Sequence, residues 1–378
     1  LFAHIGETAA LGTRVTTFTS AGRVRRGLIA AGFEMRRVDQ RPHKRESLAG
    51  SFGRAGLARP GRPERVTVAG AGLAGAAVAR ELVSHGINVR VVDPAPEPAS
   101  GASSIPATVM HPRLHHDGSD PAELKAITYA HAVAATWSPG GHPQHGLRQT
   151  GALQLPSANF PTERLVAVAE RYGRTGLGVE LVDERSARAL AGDRKLQLEG
   201  PALWFPDACS VDTPALTRAL LEHPDIELVT GTVLEDWPDE PTVLACGMAA
   251  REFPGAAFLE LGCVTGQLNL VPRKDSPLRN LRVPITGRGY LAPIDEETIG
   301  VGATYEYQPW PADQATAANL RHVERVLGGT WQPASTGYRK ATRCVSSDRN
   351  PVVGALADVD GNRDIRRLVS LGHGSMGT

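Results

Sequence analysis

The pattern of apolar and polar positions divides the chain into segments with strand and helix periodicity. Residues 66–69 and 89–92 are short apolar runs typical of buried strands, and Ala79 and Leu82 between them follow helical spacing. Strands that alternate with helices predict an α/β domain. The same pattern predicts further strands over residues 151–155, 226–229, 242–246 and 368–371, and helices over residues 122–137, 162–172, 213–223 and 315–327.

A different pattern covers residues 261–305, where apolar and polar residues alternate. Residues 265–270, 289–293 and 298–304 predict strands, which we interpret as antiparallel rather than as βαβ units. Residues 339–354 form a polar, arginine-bearing segment that turns into a short apolar strand. We therefore expect a second domain built on an antiparallel sheet.

The start of the chain predicts a strand, a helix and a strand in about forty residues, which is the tail of an α/β domain and too small to be a domain alone. Residues 12–19 predict the first strand, Ser20 is the expected helix cap, Gly32 ends the helix, and residues 33–38 predict the second strand. Residues 50–64, rich in Gly, Pro, Arg and Ala, predict a linker.

The stretch from residue 66 to residue 93 carries a glycine motif in its full context of strand, turn, helix and strand. Gly70 permits a tight turn, Gly72 allows the backbone to approach a pyrophosphate, and Gly75 allows close packing of the helix on the sheet. The phosphates would lie at the helix N-terminus, near Leu73 and Ala74. Asp93 follows the second strand, where a carboxylate accepts hydrogen bonds from an adenosine ribose. The motif alone leaves FAD and NAD open.

Other small-residue turns have the composition of cofactor contacts. Gly101, Ala102 and Ser103 would let backbone amides meet a phosphate or a ring closely. Gly247 ends an apolar strand at a position that faces the nucleotide in doubly wound folds. A late glycine turn contains Gly372, His373, Gly374 and Ser375, and would bring a second helix N-terminus near the cofactor ring.

Composition narrows the class of protein. The 378 residues carry a net charge of +1 and 41% apolar residues, with no apolar run long enough to span a membrane. The four cysteines lack metal-ligand spacing, and we expect reduced thiols in a cytoplasmic protein. His111, His115 and His116 have no second ligand cluster, so no metal site is predicted. Because the sequence begins without Met or a signal peptide, we interpret its start as the interior of a longer protein.

Residues 14–65 are strongly basic, as expected of a segment that meets a polyanion, although a solvated arginine-rich surface would give the same composition. Glu34, Asp39, Glu46 and Glu64 are the acidic residues of this stretch. The basic residues are Arg14, Arg23, Arg25, Arg26, Arg36, Arg37, Arg41, Lys44, Arg45, Arg54, Arg59, Arg62 and Arg65.

With these segments in place, the chain resembles the MnmC family of bifunctional tRNA-modifying proteins, which make 5-methylaminomethyl-2-thiouridine, and more broadly the glycine oxidase and D-amino-acid oxidase group of flavoproteins. Residues 12–33 and 44–46 look like the end of the family's methyltransferase domain. The glycine motif, residues 101–103, residues 289–293, the run from Arg343 to Gly354 and residues 372–377 resemble its oxidoreductase half.

The resemblance implies a fold of class α/β plus α+β. A Rossmann-like FAD-binding domain would comprise residues 65–145, 200–250 and 340–378, and an antiparallel-sheet substrate domain would comprise residues 146–199 and 251–339. Residues 1–50 would be the remnant of a Rossmann-like methyltransferase domain, joined by a linker over residues 51–64. The remnant lacks the loop that binds S-adenosylmethionine in the complete family protein, so we expect no methylation by this chain. The C-terminal helix expected after Thr378 is absent from the sequence, which bears on flavin retention.

The function implied is FAD-dependent oxidation of CH–NH groups, with removal of the carboxymethyl group of 5-carboxymethylaminomethyl-uridine at the tRNA wobble position. An arginine suits the substrate carboxylate because it binds through two parallel hydrogen bonds. Arg343 is the first candidate for this role and Arg339 the second, and Tyr290 would position the substrate or wall the flavin. Two alternatives stay open: a free amino-acid oxidase of the glycine oxidase type, and a flavin-free fragment that binds tRNA through residues such as Arg25, Arg26, Lys44 and Arg45.

Overall fold

A computed structural model describes residues 2, 5–6, 9, 11–42, 44–53, 62–112, 114, 146–173, 178–193, 196–198, 200–274, 276–287, 289–333, 336–357 and 363–373. The chain forms two compact units, Leu1–Pro63 and Glu64–Thr378. The helix predicted over residues 122–137 lies outside the described residues.

The first unit is a three-stranded antiparallel sheet with one helix. Its elements are β1 (Arg14–Thr17), α1 (Gly22–Ala30), β2 (Phe33–Gln40) and β3 (Lys44–Phe52), and the strand order is β1-β3-β2. Leu28 of α1 is buried against Phe33 and Phe52, whose rings meet edge to face with 5.1 Å between centroids. This small aromatic core holds the helix against the sheet.

Two local predictions for this unit are wrong. The residue before α1 is Ala21, which makes no side-chain capping bond; the backbone amide of Ala21 instead donates to Thr19 Oγ1, so Ser20 does not cap the helix. Strand β3 was not predicted, and it continues to Phe52, inside the range expected to be linker. Its sequence has weak strand propensity, but β3 pairs with β1 on one side and β2 on the other, and Leu48 is fully buried.

The second unit contains three sheets. Its elements in chain order are β4 (Arg65–Ala69), α2 (Leu73–Ser84), β5 (Asn88–Val92), β6 (Thr108–Met110), β7 (Leu147–Gln149), β8 (Ala152–Gln154), α3 (Thr162–Tyr172), β9 (Glu180–Val182), α4 (Glu184–Ala191), β10 (Ala202–Phe205), β11 (Cys209–Val211), α5 (Thr213–Leu221), β12 (Ile226–Val229), β13 (Thr242–Leu244), β14 (Leu261–Pro272), β15 (Ile285–Thr286), β16 (Tyr290–Pro293), β17 (Thr298–Gly302), α6 (Ala312–Leu327), β18 (Gly337–Ser346), β19 (Val352–Ala357) and β20 (Arg363–Leu371).

The six-stranded sheet has the order β12-β5-β4-β13-β20-β19, with parallel pairing up to β20 and an antiparallel edge strand β19. Its central strands are apolar because helices cover them: Val68 and Val91 are fully buried, and Ala76 and Ala79 of α2 pack on them. Helix α5 begins as predicted, with Asp212 accepting a hydrogen bond from the Ala215 amide. This sheet confirms the Rossmann-like part of the predicted fold class.

The eight-stranded sheet has the order β18-β14-β17-β16-β15-β8-β10-β9 and is antiparallel except where β15 pairs with β8. It confirms the predicted antiparallel sheet. Two segments differ from the expected division of the chain. The polar segment at residues 339–346 is part of β18 and joins this sheet rather than the six-stranded one, and β10 joins it too. A third sheet, β6-β11-β7, is antiparallel.

Within the described residues, no helix is both long enough and apolar enough to cross a lipid bilayer.

Candidate active site

The carboxyl ends of the parallel strands meet along one edge of the six-stranded sheet. Ala69 at the end of β4 lies opposite Val92 of β5 on one side and Leu244 of β13 on the other, and Leu244 pairs with Val369 of β20. The turns that follow these strands therefore lie side by side, and they contain the residues singled out in the sequence. We call this the carboxyl edge, defined by Gly70, Asp93, Gly247 and Gly372. In open α/β sheets, this edge binds the ligand.

Two of the glycines of the first turn lie where a side chain would collide with neighbouring backbone atoms. Gly70 has φ of +109°, and a Cβ atom there would lie 2.7 Å from the Ala245 carbonyl oxygen. A Cβ atom at Gly75 would overlap the Gly70 carbonyl oxygen. At Gly72 the nearest atom to an added Cβ is Ser103 Oγ, at 3.2 Å. The backbone of this turn, which we call the glycine cradle, thus packs too closely to accept a side chain at Gly70 or Gly75.

The start of α2 and the end of β5 are tied to this cradle by hydrogen bonds. The Leu73 amide, the first of the helix, donates to Ser103 Oγ at 2.9 Å, and Ala74 follows in the same turn. Asp93 Oδ2 accepts from the Ala71 amide at 2.7 Å, and its Oδ1 accepts from the Ala95 amide at 2.9 Å. Each carboxylate oxygen keeps a further lone pair for a ligand hydroxyl.

The loop after β5 connects the carboxyl edge to the eight-stranded sheet. Gly101 has open space where a Cβ would lie, and Ala102 and Ser103 form a short 3₁₀ helix that packs against β18. A few residues on, the Ala107 carbonyl accepts a hydrogen bond from the Tyr290 hydroxyl at 2.8 Å. Burial raises the pKa of Tyr290, and the nearby Arg343 charge opposes that effect. Tyr290 therefore stays protonated and fixed in position.

On the other side of the edge, Gly247 (φ +62°) and Gly372 (φ +74°) turn the chain after β13 and β20. His373 accepts or donates a hydrogen bond of 3.0 Å at Ser370 Oγ, and burial lowers the pKa of its imidazole. Gly374 and Ser375 lie outside the described residues. The Gly372 amide lies near the Cys344 thiol, so β18 also reaches this edge.

Cys246 lies in this edge, between Ala245 and Gly247. Burial raises the pKa of its thiol to about 12, with smaller contributions from Asp93 and Cys344. A thiol with this pKa is protonated at neutral pH, so Cys246 behaves as a small, partly buried apolar residue rather than as a nucleophile.

Arg343 is half-buried on β18. Its guanidinium carbon lies 5.1 Å from the centre of the Tyr305 ring, and Gly266 on β14 leaves room for it, since a Cβ there would lie 3.1 Å from Nη2. Burial lowers the pKa of Arg343, and the other groups that act on it are Tyr305, Tyr290 and Arg349. No carboxylate of the described residues is among them. A charged, partly desolvated guanidinium without an acidic partner is suited to bind an anion.

Arg339 lies elsewhere on the same strand. It is four residues from Arg343, about 13 Å along a strand, and its exposed side chain donates to the neighbouring Tyr338 carbonyl at 3.3 Å. The structure brings Tyr290 and Arg343 together and leaves Arg339 at the solvent surface.

The sequence did not single out Tyr305, Tyr307 or Arg349, which the structure places beside Arg343. Arg349 donates to the Tyr305 hydroxyl at 2.6 Å and to the Tyr307 hydroxyl at 2.9 Å. The sequence pattern around residue 306 could have indicated the two tyrosines. Tyr305 and Tyr307 alternate with Glu306, which is buried, and this alternation places both rings on one face. We call Tyr305, Tyr307, Arg343 and Arg349 the tyrosine–arginine cluster.

Residues in the histidine-rich segment give no metal site in the part of the chain that is described. His111 stacks on Phe205, with 4.9 Å between ring centroids, while His115 and His116 fall outside the described residues. The described His, Cys, Asp and Glu residues contain no group of three that could hold a metal ion.

Comparisons with known proteins agree with this geometry. The chain is 32% identical over 95% of its length to the tRNA 5-methylaminomethyl-2-thiouridine biosynthesis bifunctional protein MnmC of Stutzerimonas stutzeri, and 31% identical over 94% to that of Ectopseudomonas mendocina. It spans 59% of the length of each of these relatives. Residues 1–52 match the S-adenosyl-L-methionine-dependent methyltransferase family model.

Among solved structures, glycine oxidase from Bacillus cereus superposes with a TM-score of 0.64 at 17% identity, covering 82% of this chain and 90% of that one. Iminodiacetate oxidase from Chelativorans superposes with a TM-score of 0.63 at 19% identity, with the same coverage. These similarities show the fold. The model of the FAD dependent oxidoreductase family matches residues 65–378. With the glycine cradle, the carboxyl edge and this match together, the chain belongs to the FAD dependent oxidoreductase family.

Proposed function

We propose that this chain oxidatively removes the carboxymethyl group from 5-carboxymethylaminomethyl-uridine at the wobble position of tRNA. The observation that carries the proposal is Arg343, a half-buried guanidinium without a carboxylate partner among the described residues. The substrate side chain is a secondary amine that ends in a carboxylate, so its chemistry matches the guanidinium. The MnmC relatives, named for tRNA modification, support the choice of substrate.

The residues of the carboxyl edge fit FAD. Backbone at Gly70, Gly72, Leu73, Ala74 and Gly75 would surround the diphosphate, because only glycine leaves the cradle open. Asp93 would accept a ribose hydroxyl. The turns at Gly101, Ala102, Ser103, Gly247, Gly372 and His373, with Gly374 and Ser375, would contact the rest of the cofactor. We assign cofactor binding to the six-stranded sheet and substrate binding to the eight-stranded sheet.

When bound, FAD supplies a two-electron acceptor that takes a hydride from the carbon between the amine and the carboxylate. The protein's own residues have to orient the substrate. Arg343 would hold the carboxylate through two hydrogen bonds, which fixes the adjacent carbon in position. Tyr290, held protonated by burial, would form a wall of the site rather than act as a base. As the hydride leaves the carbon and the amine nitrogen loses its proton to water, the C–N bond would become a C=N bond. Water would then add to this bond, releasing glyoxylate and leaving the primary amine on the uridine.

A free amino-acid oxidase is the second candidate, because a carboxylate bound to Arg343 could equally belong to an amino acid such as glycine. The protein is reconstituted with FAD and mixed without oxygen with glycine or with carboxymethylaminomethyl-modified tRNA. The proposal expects modified tRNA to bleach the flavin absorbance and to release one glyoxylate per flavin, and glycine to have no effect. Bleaching by glycine alone would select the second candidate, and bleaching by neither would contradict both.

A tRNA substrate would be met in the cytoplasm, and the basic composition of residues 14–65 suits a segment that contacts RNA. We do not propose methylation by this chain.

A further inference from the structure

The tyrosine–arginine cluster combines exposed aromatic rings with a rigid support. Tyr305 is 45% exposed and Tyr307 67% exposed, although both are large side chains, while Thr304 and Glu306 beside them are buried. The Glu306 and Thr265 backbones exchange two hydrogen bonds, of 2.8 and 2.9 Å, which fasten this segment to β14. Rings that a folded protein holds in solvent on an anchored backbone mark a binding surface.

The buried Glu306 side chain reinforces the support. Its carboxylate accepts hydrogen bonds from Thr304 Oγ1 and from the Trp310 amide, and it lies 3.1 Å from Lys340 Nζ on β18. The Glu306 carboxylate is thus paired inside the protein, and the tyrosines on either side of it, Tyr305 and Tyr307, face the solvent.

Charge and geometry distinguish this surface from an ordinary apolar patch. The two rings are 5.5 Å apart at 77° to each other, and Arg349 joins their hydroxyls. Arg343 and Arg349 lie 5.1 and 5.8 Å from the Tyr305 ring centre. The carboxylate nearest in sequence to Arg349, that of Asp348, accepts hydrogen bonds from Asn350 and Ser346 instead. The cluster therefore offers two aromatic faces and two cations.

Arg349 also adopts a backbone conformation that side-chain-bearing residues rarely take. Its φ is +65°, in the left-handed region that strains a residue with a side chain. The turn at residues 346–350 holds this conformation through the Asp348 hydrogen bonds, and the result is a guanidinium aimed at the two tyrosines.

We propose that the tyrosine–arginine cluster binds the unpaired nucleotides next to the reacting uridine, with one base stacked on Tyr307 and a phosphate near Arg349. This inference rests on the proposed function. Unpaired RNA bases are recognised by stacking on aromatic and guanidinium planes, and their phosphates by arginine. The cluster is continuous with the substrate site through Arg343, so an RNA strand whose uridine side chain reaches Arg343 passes over Tyr305 and Tyr307.

The test uses Tyr307→Ala, because Arg343 lies over the Tyr305 ring, whereas Tyr307 contacts Tyr305 and Arg349. Two substrates are compared: the modified tRNA and the carboxymethylaminomethyl-uridine nucleoside, which has no flanking nucleotides. The ratio of kcat/KM for tRNA to kcat/KM for the nucleoside should fall about 5- to 100-fold in Tyr307→Ala, since one stacked base contributes that much to binding. Tyr307→Phe should recover most of the ratio.

The matched control is Tyr338→Ala, which removes another exposed tyrosine, 47% exposed, on β18. Its ratio should equal that of the unmodified protein. An unchanged ratio in Tyr307→Ala, or an equal fall in the control, would overturn the proposal.

A binding measurement separates this proposal from the proposed function. An unmodified RNA hairpin with an anticodon-sized loop is titrated against the FAD-loaded protein, with a fully paired duplex of equal length as reference. The hairpin should bind more tightly than the duplex, and Tyr307→Ala should remove that preference. If modified tRNA fails to reduce the flavin while the preference for the hairpin still depends on Tyr307, the proposed reaction is wrong but the proposed RNA-binding role of the cluster holds. If the hairpin is not preferred over the duplex, or if Tyr307→Ala leaves that preference unchanged, the proposed RNA-binding role of the cluster is wrong. This outcome includes the case in which the cluster binds a protein instead.

Discussion

The carboxyl edge and the tyrosine–arginine cluster show two ways of building a site. At the carboxyl edge, backbone atoms and missing side chains form the surface, as where a Cβ at Gly75 would overlap the Gly70 carbonyl. In the cluster, long side chains from β18 and the segment after β17 form the surface, as where Arg349 holds Tyr305 and Tyr307. A site built from backbone and glycines depends on a short run of sequence, whereas a site built from long side chains forms only when distant strands have paired.

If the cluster depends on side-chain networks, removing a buried partner should have the largest effect on stability. Lys340→Met leaves the buried Glu306 carboxylate without its cation, and we expect a loss of about 3 kcal/mol in the free energy of unfolding. Urea denaturation measures it, with Lys274→Met, an exposed lysine, as control.

The pH dependence of that loss gives a second check on the same variant. In the unmodified protein, burial raises the pKa of Glu306, but hydrogen bonds from Thr304, Trp310 and Lys340 outweigh it and lower the pKa overall. Without Lys340, one of the interactions that lower the pKa of Glu306 is lost, so the pKa of Glu306 rises. The loss of unfolding free energy in Lys340→Met should therefore become smaller as the pH falls from 7 towards 4, because protonation of Glu306 removes the unpaired charge. A loss that is independent of pH would mean that packing, rather than charge, is responsible.

The second prediction separates the two arginines of β18. Arg343→Gln should lower kcat/KM for modified tRNA about 100-fold or more, since truncating one partner of a buried charge pair costs roughly 2–5 kcal/mol. Arg339→Gln should stay within about twofold, because an exposed side chain with a local contact contributes little. Steady-state kinetics measures both, with the flavin content of each variant matched. Equal losses in the two variants would place the clamp elsewhere.

The third prediction tests the carboxyl edge. Gly75→Ala forces a Cβ against the Gly70 carbonyl, so we expect a loss of about 1–3 kcal/mol in stability and a lower flavin content after purification. Gly329→Ala, where an added Cβ meets nothing within 4 Å, is the control. Absorbance at the flavin bands and thermal unfolding are the measurements. Full flavin retention in Gly75→Ala would show that this cradle does not hold the cofactor.

The smallest effect concerns thiol chemistry. Burial raises the pKa values of Cys209 and Cys246 to about 12, so at pH 8 on the order of one such thiol in ten thousand is ionised. Iodoacetamide should therefore label the exposed Cys263 first and leave Cys246 unmodified in the folded protein. Peptide mass spectrometry identifies the labelled site, and rapid labelling of Cys246 would show that the edge opens.

The same contrast explains what could be predicted from the sequence. Helix α3 and strand β12 were predicted with the bounds that the structure has, because the periodicity of their sequences is local. The Rossmann-like part of the fold followed from the glycine motif, whose spacing has a steric cause. The family followed from the resemblance of that motif together with several other segments. Strand β3 and the strand character of residues 339–346 were missed because their polar sequences become strands only by pairing with partners on one or both sides.

The candidate site shows the same limit. Arg343 was found through resemblance, and its lack of a carboxylate partner among the residues that the structure describes is visible only in three dimensions. Tyr305 and Arg349 were not predicted, since they are 44 residues apart in sequence and follow strands β17 and β18, which pair on either side of β14.

The order of strands in the six-stranded sheet has a consequence for how the protein is made. Strand β13 lies between β4, which is synthesised early, and β20, which is synthesised last of the six. At ~5–20 residues per second, the interval between β13 and β20 lasts on the order of ten seconds. Throughout it, β13 is an unprotected edge strand, which invites wrong pairing. With the cofactor site proposed at the carboxyl edge, which includes Gly372 after β20, flavin would stabilise the sheet only after β20 has joined. A lack of flavin would then destabilise newly made chains before folded ones.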